Sequence, residues 1–159
     1  HLVLTTVHTE TAAAALPRLL DLGLESFLLK STLRAVIAQR LVRILCDRCK
    51  TRRALDPKDM EADPRYGLLG FKAGEKVHER VGCEHCTGTG YRGRVGVFET
   101  ARIDASLQRA IRENVSEEHL RALADARGFT SIMTNGLIKA RAGETSYLET
   151  VRVLGALAS

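Results

Sequence analysis

The chain has 159 residues, a formal net charge of +5, 4% aromatic residues and no tryptophan. That length suits one ordinary domain or two small ones, with a core made mainly of Leu, Val, Ile and Ala. No apolar run is long enough to cross a bilayer. Four cysteines in an otherwise ordinary composition read as cytosolic, against a small secreted disulfide scaffold.

In chain order, the near-alternation of His1-Leu2-Val3-Leu4-Thr5-Thr6-Val7-His8 predicts a strand. One strand alone makes no sheet, so the pattern reads as a domain entered part-way. An alanine-rich helix from Thr11 to Asp21-Leu22 is expected to stop at Gly23, with a kink at Pro17. A longer helix is expected over residues 26–45. Leu29, Leu33, Val36, Ile37, Leu41, Ile44 and Leu45 recur there at three- and four-residue steps, and Arg40 and Arg43 suit its last turns as exposed packing arginines. Asp56-Pro57 and Asp63-Pro64 punctuate a segment that reads as loops. Tyr91 to Glu99 suggests a short glycine-interrupted strand. From Asp104 the pattern is helical: Ser116 caps a helix with Glu117 and Glu118 in its first turn, ended by Gly128. Another spans residues 131–142 before Gly143. Ser146 and Glu149 then form a capping box for a last helix, with Val151, Leu154 and Leu157 inward.

Chemistry concentrates in two C-x-x-C pairs, Cys46-Asp47-Arg48-Cys49 and Cys83-Glu84-His85-Cys86. Two intervening residues let both thiolates of a knuckle point at one ion, and two knuckles complete the four-sulfur shell of a structural Zn2+ site. Such a shell leaves no open position for water, so the metal's role is structural. Gly88 and Gly90 let the chain turn back and aim N–H groups at sulfur. His78 and His85 lie near enough in sequence to compete as ligands, but with four thiolates they read as supporting donors or exposed groups. Two disulfides or four free thiols are the competing readings.

Residues 40–53 carry Arg40, Arg43, Arg48, Lys50, Arg52 and Arg53 against Asp47 alone, an excess equal to the net charge of the chain. The stretch suits an acidic partner or nucleic acid, or it offsets the thiolates: four of them with Zn2+ bring the formal charge to about +3. No aromatics interleave for base stacking, which weakens the nucleic-acid reading.

In this order the segments resemble the C-terminal portion of the bacterial type II secretion and type IV pilus assembly ATPases. The resemblance runs from His1-Leu2-Val3-Leu4-Thr5-Thr6-Val7-His8-Thr9, similar to that family's histidine box, through Arg18-Leu19-Leu20-Asp21-Leu22-Gly23 and Ala38 to Cys46. It continues over the four cysteines and Thr89-Gly90-Tyr91-Arg92-Gly93-Arg94-Val95-Gly96 to Gly136-Leu137-Ile138-Lys139 and Glu149-Thr150-Val151-Arg152-Val153. It implies an α/β fold, the C-terminal part of a RecA-like P-loop ATPase. Residues 1–45 would be a remnant of the ATPase core, 46–99 an inserted tetracysteine zinc module, and 100–159 a C-terminal helical bundle. The parent it implies is a homohexamer using ATP and Mg2+ at the cytoplasmic face of the inner membrane. There it would power type II protein secretion with membrane platform proteins, or alternatively type IV pilus assembly. The tetracysteine set argues against a retraction motor. His8 carries over as a nucleotide-responsive histidine, and Arg92 and Arg94 suit a nucleotide or an adjacent subunit, or else balance the thiolates. No G-x-x-x-x-G-K-[ST] loop occurs, so these residues alone are not expected to hydrolyse ATP. A zinc-ribbon module for nucleic acid and a chaperone-type zinc domain are the weaker alternatives. The second matches Cys83 to Gly90, but Cys46 to Lys50 lacks its glycines.

Overall fold

A computed structural model describes residues 1–112, 116, 118, 122 and 130–155. The elements are α1 (Ala12–Asp21), α2 (Ser26–Thr32), β1 (Ala35–Leu45), β2 (Thr51–Ala54), α3 (Pro57–Ala62), α4 (Arg65–Leu68), β3 (Lys76–Glu79), β4 (Tyr91–Arg102), α5 (Ala105–Arg112), α6 (Ile132–Arg141) and α7 (Tyr147–Leu154). A 3-10 turn covers Glu84–Cys86. β1 pairs with β4 and β2 with β3, giving two two-stranded sheets. At this coarse level the mixture of helices and small sheets is compatible with the expected α/β class. Most of the helix expected at 116–128, and Leu157, lie outside the described residues. Among the described residues, no helix is long and apolar enough to cross a membrane.

The chain divides into two compact units, one of residues 1–40 with 97–135, the other of residues 41–96 with 136–159. In the first, the Thr11 hydroxyl accepts the Ala14 N–H and caps α1. At the other end Gly23 donates to the Leu20 carbonyl at 2.9 Å, where the sequence places the stop. Leu16, Leu29, Ile103, Leu107, Ala110 and Ile111 form its buried cluster. The Glu99 carboxylate accepts from Ala12 N at 2.9 Å and Ile132 N at 3.3 Å, placing negative charge at the N-terminal ends of α1 and α6. Asp104 starts α5 by accepting from Ser106 N and Leu107 N.

Two sequence expectations fail in this part of the chain. Residues 1–9 form no strand: among the described residues no strand pairs with them, and Leu2, Val3 and Leu4 stand exposed. An alternating pattern needs a neighbouring edge before it becomes a strand. The helix expected over 26–45 is only α2, after which the chain extends into β1. Along β1 the more buried positions are Val36, Ala38, Arg40 and Val42, a period of two. Leu33, Ile37 and Leu41 happen to keep helical spacing as well, and pairing with β4, helped by the β-branched residues, decides for the strand.

In the second unit β2 and β3 run antiparallel, pairing Thr51 with Glu79 and Ala54 with Lys76. The Asp-Pro pairs expected to mark loops instead open short helices. Asp56 accepts from Asp59 N, Asp59 returns a bond to Asp56 N, and Pro57 sits in the first turn, where its missing N–H costs nothing. Pro64 likewise precedes α4. Tyr66 stacks on Tyr147 at 3.8 Å between ring centroids, and Phe71 meets both rings edge-on. The Tyr91 to Glu99 strand appears and extends to Arg102 as β4. α6 and its stop at Gly143 fall where the sequence puts them.

Candidate metal centre

The first knuckle follows directly from the end of β1. The Cys46 carbonyl accepts from Cys49 N at 3.3 Å and Lys50 N at 2.9 Å, folding the chain around one oxygen. The second knuckle repeats this device: the Cys83 carbonyl accepts from Cys86 N at 3.2 Å and Gly88 N at 2.9 Å. A bond from Cys46 N to the Gly90 carbonyl, 2.9 Å, ties one knuckle to the other. Sequence-local turns therefore bring together four sulfurs from residues 37 positions apart.

The four Sγ atoms all lie within 4.8 Å of one another. Cys46 and Cys83 are 3.9 Å apart, Cys49 and Cys86 3.8 Å, and Cys83 and Cys86 3.8 Å. A tetrahedral Zn2+ with bonds of about 2.3 Å requires sulfur separations of about 3.8 Å. A disulfide would bring two sulfurs to about 2 Å, and all four cysteines are free. Cys46 and Cys86 are buried, Cys49 and Cys83 half-buried.

Three N–H groups point at sulfur: Gly82 to Cys49 at 3.3 Å, Cys83 to Cys86 at 3.2 Å, and Gly90 to Cys86 at 3.2 Å. Burial opposes ionisation of Cys86, but donation from Cys83 N and Gly90 N overcomes it and brings the thiol down to about 6. Burial pushes Cys49 up to about 11, its one donor from Gly82 offsetting only part of the rise. Four thiolates this close repel one another, so full ionisation needs a cation among them. Donor type, spacing and backbone support all fit a closed Zn2+ shell.

Gly82 and Gly90, the two glycines that donate to sulfur, both have positive φ, +114° and +75°. A Cβ on Gly82 would lie 2.6 Å from the Gly88 carbonyl oxygen, and one on Gly90 would lie 2.5 Å from the Arg80 Cβ. Any other residue at either site forces the backbone apart and moves the N–H from its sulfur.

The histidines stay outside the sulfur cluster. Arg92 Nη1 lies 2.9 Å from His85 Nδ1 on the exposed side. The His78 ring packs on Gly143. Burial, with Arg52 and Lys50 nearby, lowers the pKa of His78.

The basic stretch is partly used internally. Arg43 binds Glu149 at 2.6 Å, Lys50 donates to the Gly143 carbonyl at 2.9 Å, and Arg53 pairs with Asp59 and Glu79. Arg48 and Arg52 meet no carboxylate among the described residues. Arg43 is thus more than an exposed packing residue.

The Glu149 interaction also corrects the capping box. Ser146 does accept from Glu149 N, but the Glu149 carboxylate turns away from the cap. It accepts from Arg43 N at 3.1 Å and from the guanidinium groups of Arg43 and Arg152. Its side chain has no exposure, whereas Arg43 and Arg152 keep 41% and 59% of theirs. Burial works against the charge, but hydrogen bonds from Arg152 and Arg43 hold the carboxyl down at about 2. Glu149 and Arg43 are 106 positions apart, so no local pattern marks the pair.

His8 is exposed on the segment before α1, in the first unit. Arg92 and Arg94 are exposed on β4, in the second.

Four clustered cysteines on paired knuckles, in a chain compatible with the α/β class, make a candidate metal centre, and sequence comparison narrows the class. Residues 1–152 match the family described as type II/IV secretion system protein, and the chain belongs to that family. It is 40% identical over 98% of its length to a putative type II secretion system protein E of Escherichia coli, covering 31% of that protein. It is 42% identical to type II secretion system protein E of Pectobacterium carotovorum, over 96% of the chain and 29% of the relative. The type IV pilus assembly ATPase PilB of Pseudomonas aeruginosa is also 42% identical, over 96% of the chain and 26% of that protein. The chain thus spans about a third or less of the relatives it matches.

Proposed function

We propose that this chain is part of an ATP-driven motor for type II protein secretion, and that residues 46–99 form its zinc module. The supporting observation is the four-sulfur cluster at tetrahedral spacing in a chain of the type II/IV secretion family. Bound Zn2+ would supply charge neutralisation and four strong bonds, with no catalytic water. Cys46, Cys49, Cys83 and Cys86 hold it, the N–H groups of Gly82, Cys83 and Gly90 stabilise the thiolates, and Lys50 links the first knuckle to the turn before α7. The module is then a rigid block suited to docking on partners and transmitting force. ATP, Mg2+, a RecA-like core, a homohexamer and a place beside inner-membrane platform proteins belong to this reading of the whole protein. His8 would respond there to nucleotide, and Arg92 and Arg94 would face nucleotide or a neighbouring subunit. The inward bonds of Arg43, Lys50 and Arg53 support a protein partner over nucleic acid. Type IV pilus assembly is the second reading, favoured by the PilB relative's equal identity to this chain.

Metal analysis is expected to find about one zinc per chain; two disulfides and no metal would overturn the module. In the whole protein, serine at all four cysteine positions should remove zinc and depress ATP turnover. Undiminished turnover in that zinc-free variant separates the module from the motor.

A further inference from the structure

A cavity of about 230 Å³ in the second unit is lined by Arg43, Thr89, Tyr91, Gly93 and Arg94. Its two cations differ in character. Arg43 is fixed: its backbone N–H and Nη2 both reach Glu149, and its guanidinium lies 4.2 Å above the centre of the Tyr91 ring. Its Nε is buried and has no acceptor. Arg94 is exposed, and among the described residues no carboxylate meets it. Glu149 is shared between Arg43 and Arg152, so one carboxylate faces two guanidinium groups and leaves one positive charge over. With Arg94, these four side chains carry an excess of two positive charges, of which Arg43 and Arg94 line the cavity.

An arginine presents five donors and no acceptor. A guanidinium already held in place by a carboxylate and an aromatic face loses little freedom when it binds a further anion. The Arg43 side chain keeps 41% of its exposure, and it shares the cavity lining with Arg94, so its accessible nitrogens can receive an oxyanion there.

We propose that this cavity is a binding site for a phosphate-type oxyanion, held by Arg43 as the fixed donor and Arg94 as the closing one. Free inorganic phosphate and the terminal phosphate of a nucleotide present the same chemistry. The nucleotide source deepens the reading of Arg94 given above and rests on it, whereas binding of inorganic phosphate needs only the second unit's own side chains.

The test is a titration of the zinc-loaded chain with inorganic phosphate, and separately with ADP, following the arginine Nε–H resonances by NMR at fixed ionic strength. Saturable shifts of Arg43 and Arg94 are expected, with affinity reduced about tenfold in Arg94→Gln and largely kept in Arg94→Lys, which retains the charge. Arg94 is exposed, so unchanged zinc content and spectral dispersion should show that the variant folds. Much tighter binding of ADP assigns the source to nucleotide, and similar binding of both assigns it to phosphate itself. Shifts that never saturate, or that are the same in Arg94→Gln and in the distant control Arg18→Gln, overturn the site.

Discussion

Leu16, Leu29, Ile103, Leu107 and Ile111 hold the first unit by packing apolar side chains, whereas the second adds groups that bury only when something answers them. Four sulfurs sit at the spacing a tetrahedral cation would answer, the Glu149 carboxylate meets two arginines, and the Tyr91 hydroxyl meets the Ser146 hydroxyl at 2.6 Å. Apolar packing is non-directional and degrades gradually as contacts are lost. Paired polar and metal-bound groups fail abruptly, because the survivor of a broken pair is left buried and unsatisfied. The two units of one chain should therefore respond to different insults.

The sharpest separation comes from removing metal. Structural zinc at thiolate sites contributes on the order of 10 kcal/mol near neutral pH, far more than any single contact here. A strong chelator, followed by hydrogen exchange, should strip protection from residues 41–96 and 136–155 and leave amides near Leu16 and Leu107 protected. Uniform loss across both units, or no loss, breaks the comparison.

The reverse experiment targets the apolar cluster. Leu107 is 2% exposed, and Leu107→Ala should cost about 3 kcal/mol in urea unfolding. Zinc content should stay unchanged. Loss of metal in this variant would mean that the units do not fail separately.

A smaller effect is expected at Glu149. Glu149→Gln leaves the carboxylate's site neutral beside two arginines and should cost about 2 kcal/mol, since both arginines remain part-exposed. The sign with pH follows from the lowered folded pKa of about 2. Its contribution is complete above the ordinary glutamate range, and is lost as pH falls through that range towards about 2. Urea midpoints of wild type and variant should accordingly converge on acidification. A constant gap would show that the charge is not what stabilises the site.

The parts legible in the sequence are those whose information is local. C-x-x-C spacing, the Gly23 and Gly143 stops and the Ser146 cap each act within a few residues, and each is where the sequence puts it. β1 reads as a helix because Leu29, Leu33, Ile37 and Leu41 satisfy a helical step while Val36, Ala38 and Val42 satisfy a strand, and pairing with β4 settles the conflict. The Asp-Pro pairs carry both a loop signal and a helix-start signal, and Asp59, returning a bond to Asp56 N, selects the second. The Glu149 clamp is invisible because its partner lies 106 positions away, and a glutamate three residues after a serine otherwise reads as a cap.

The tight fit at Gly82 and Gly90 has a consequence for how this centre can vary. The donors that meet the sulfurs are main-chain N–H groups, with the Thr87 and Thr89 hydroxyls on the Cys86 carbonyl beside them, so side chains pointing outward are free to change without retuning the cage. Glu84, His85 and Arg92 decorate the knuckle without setting its dimensions. One such cage can be handed unchanged from protein to protein while the surface around it is rewritten for each new partner.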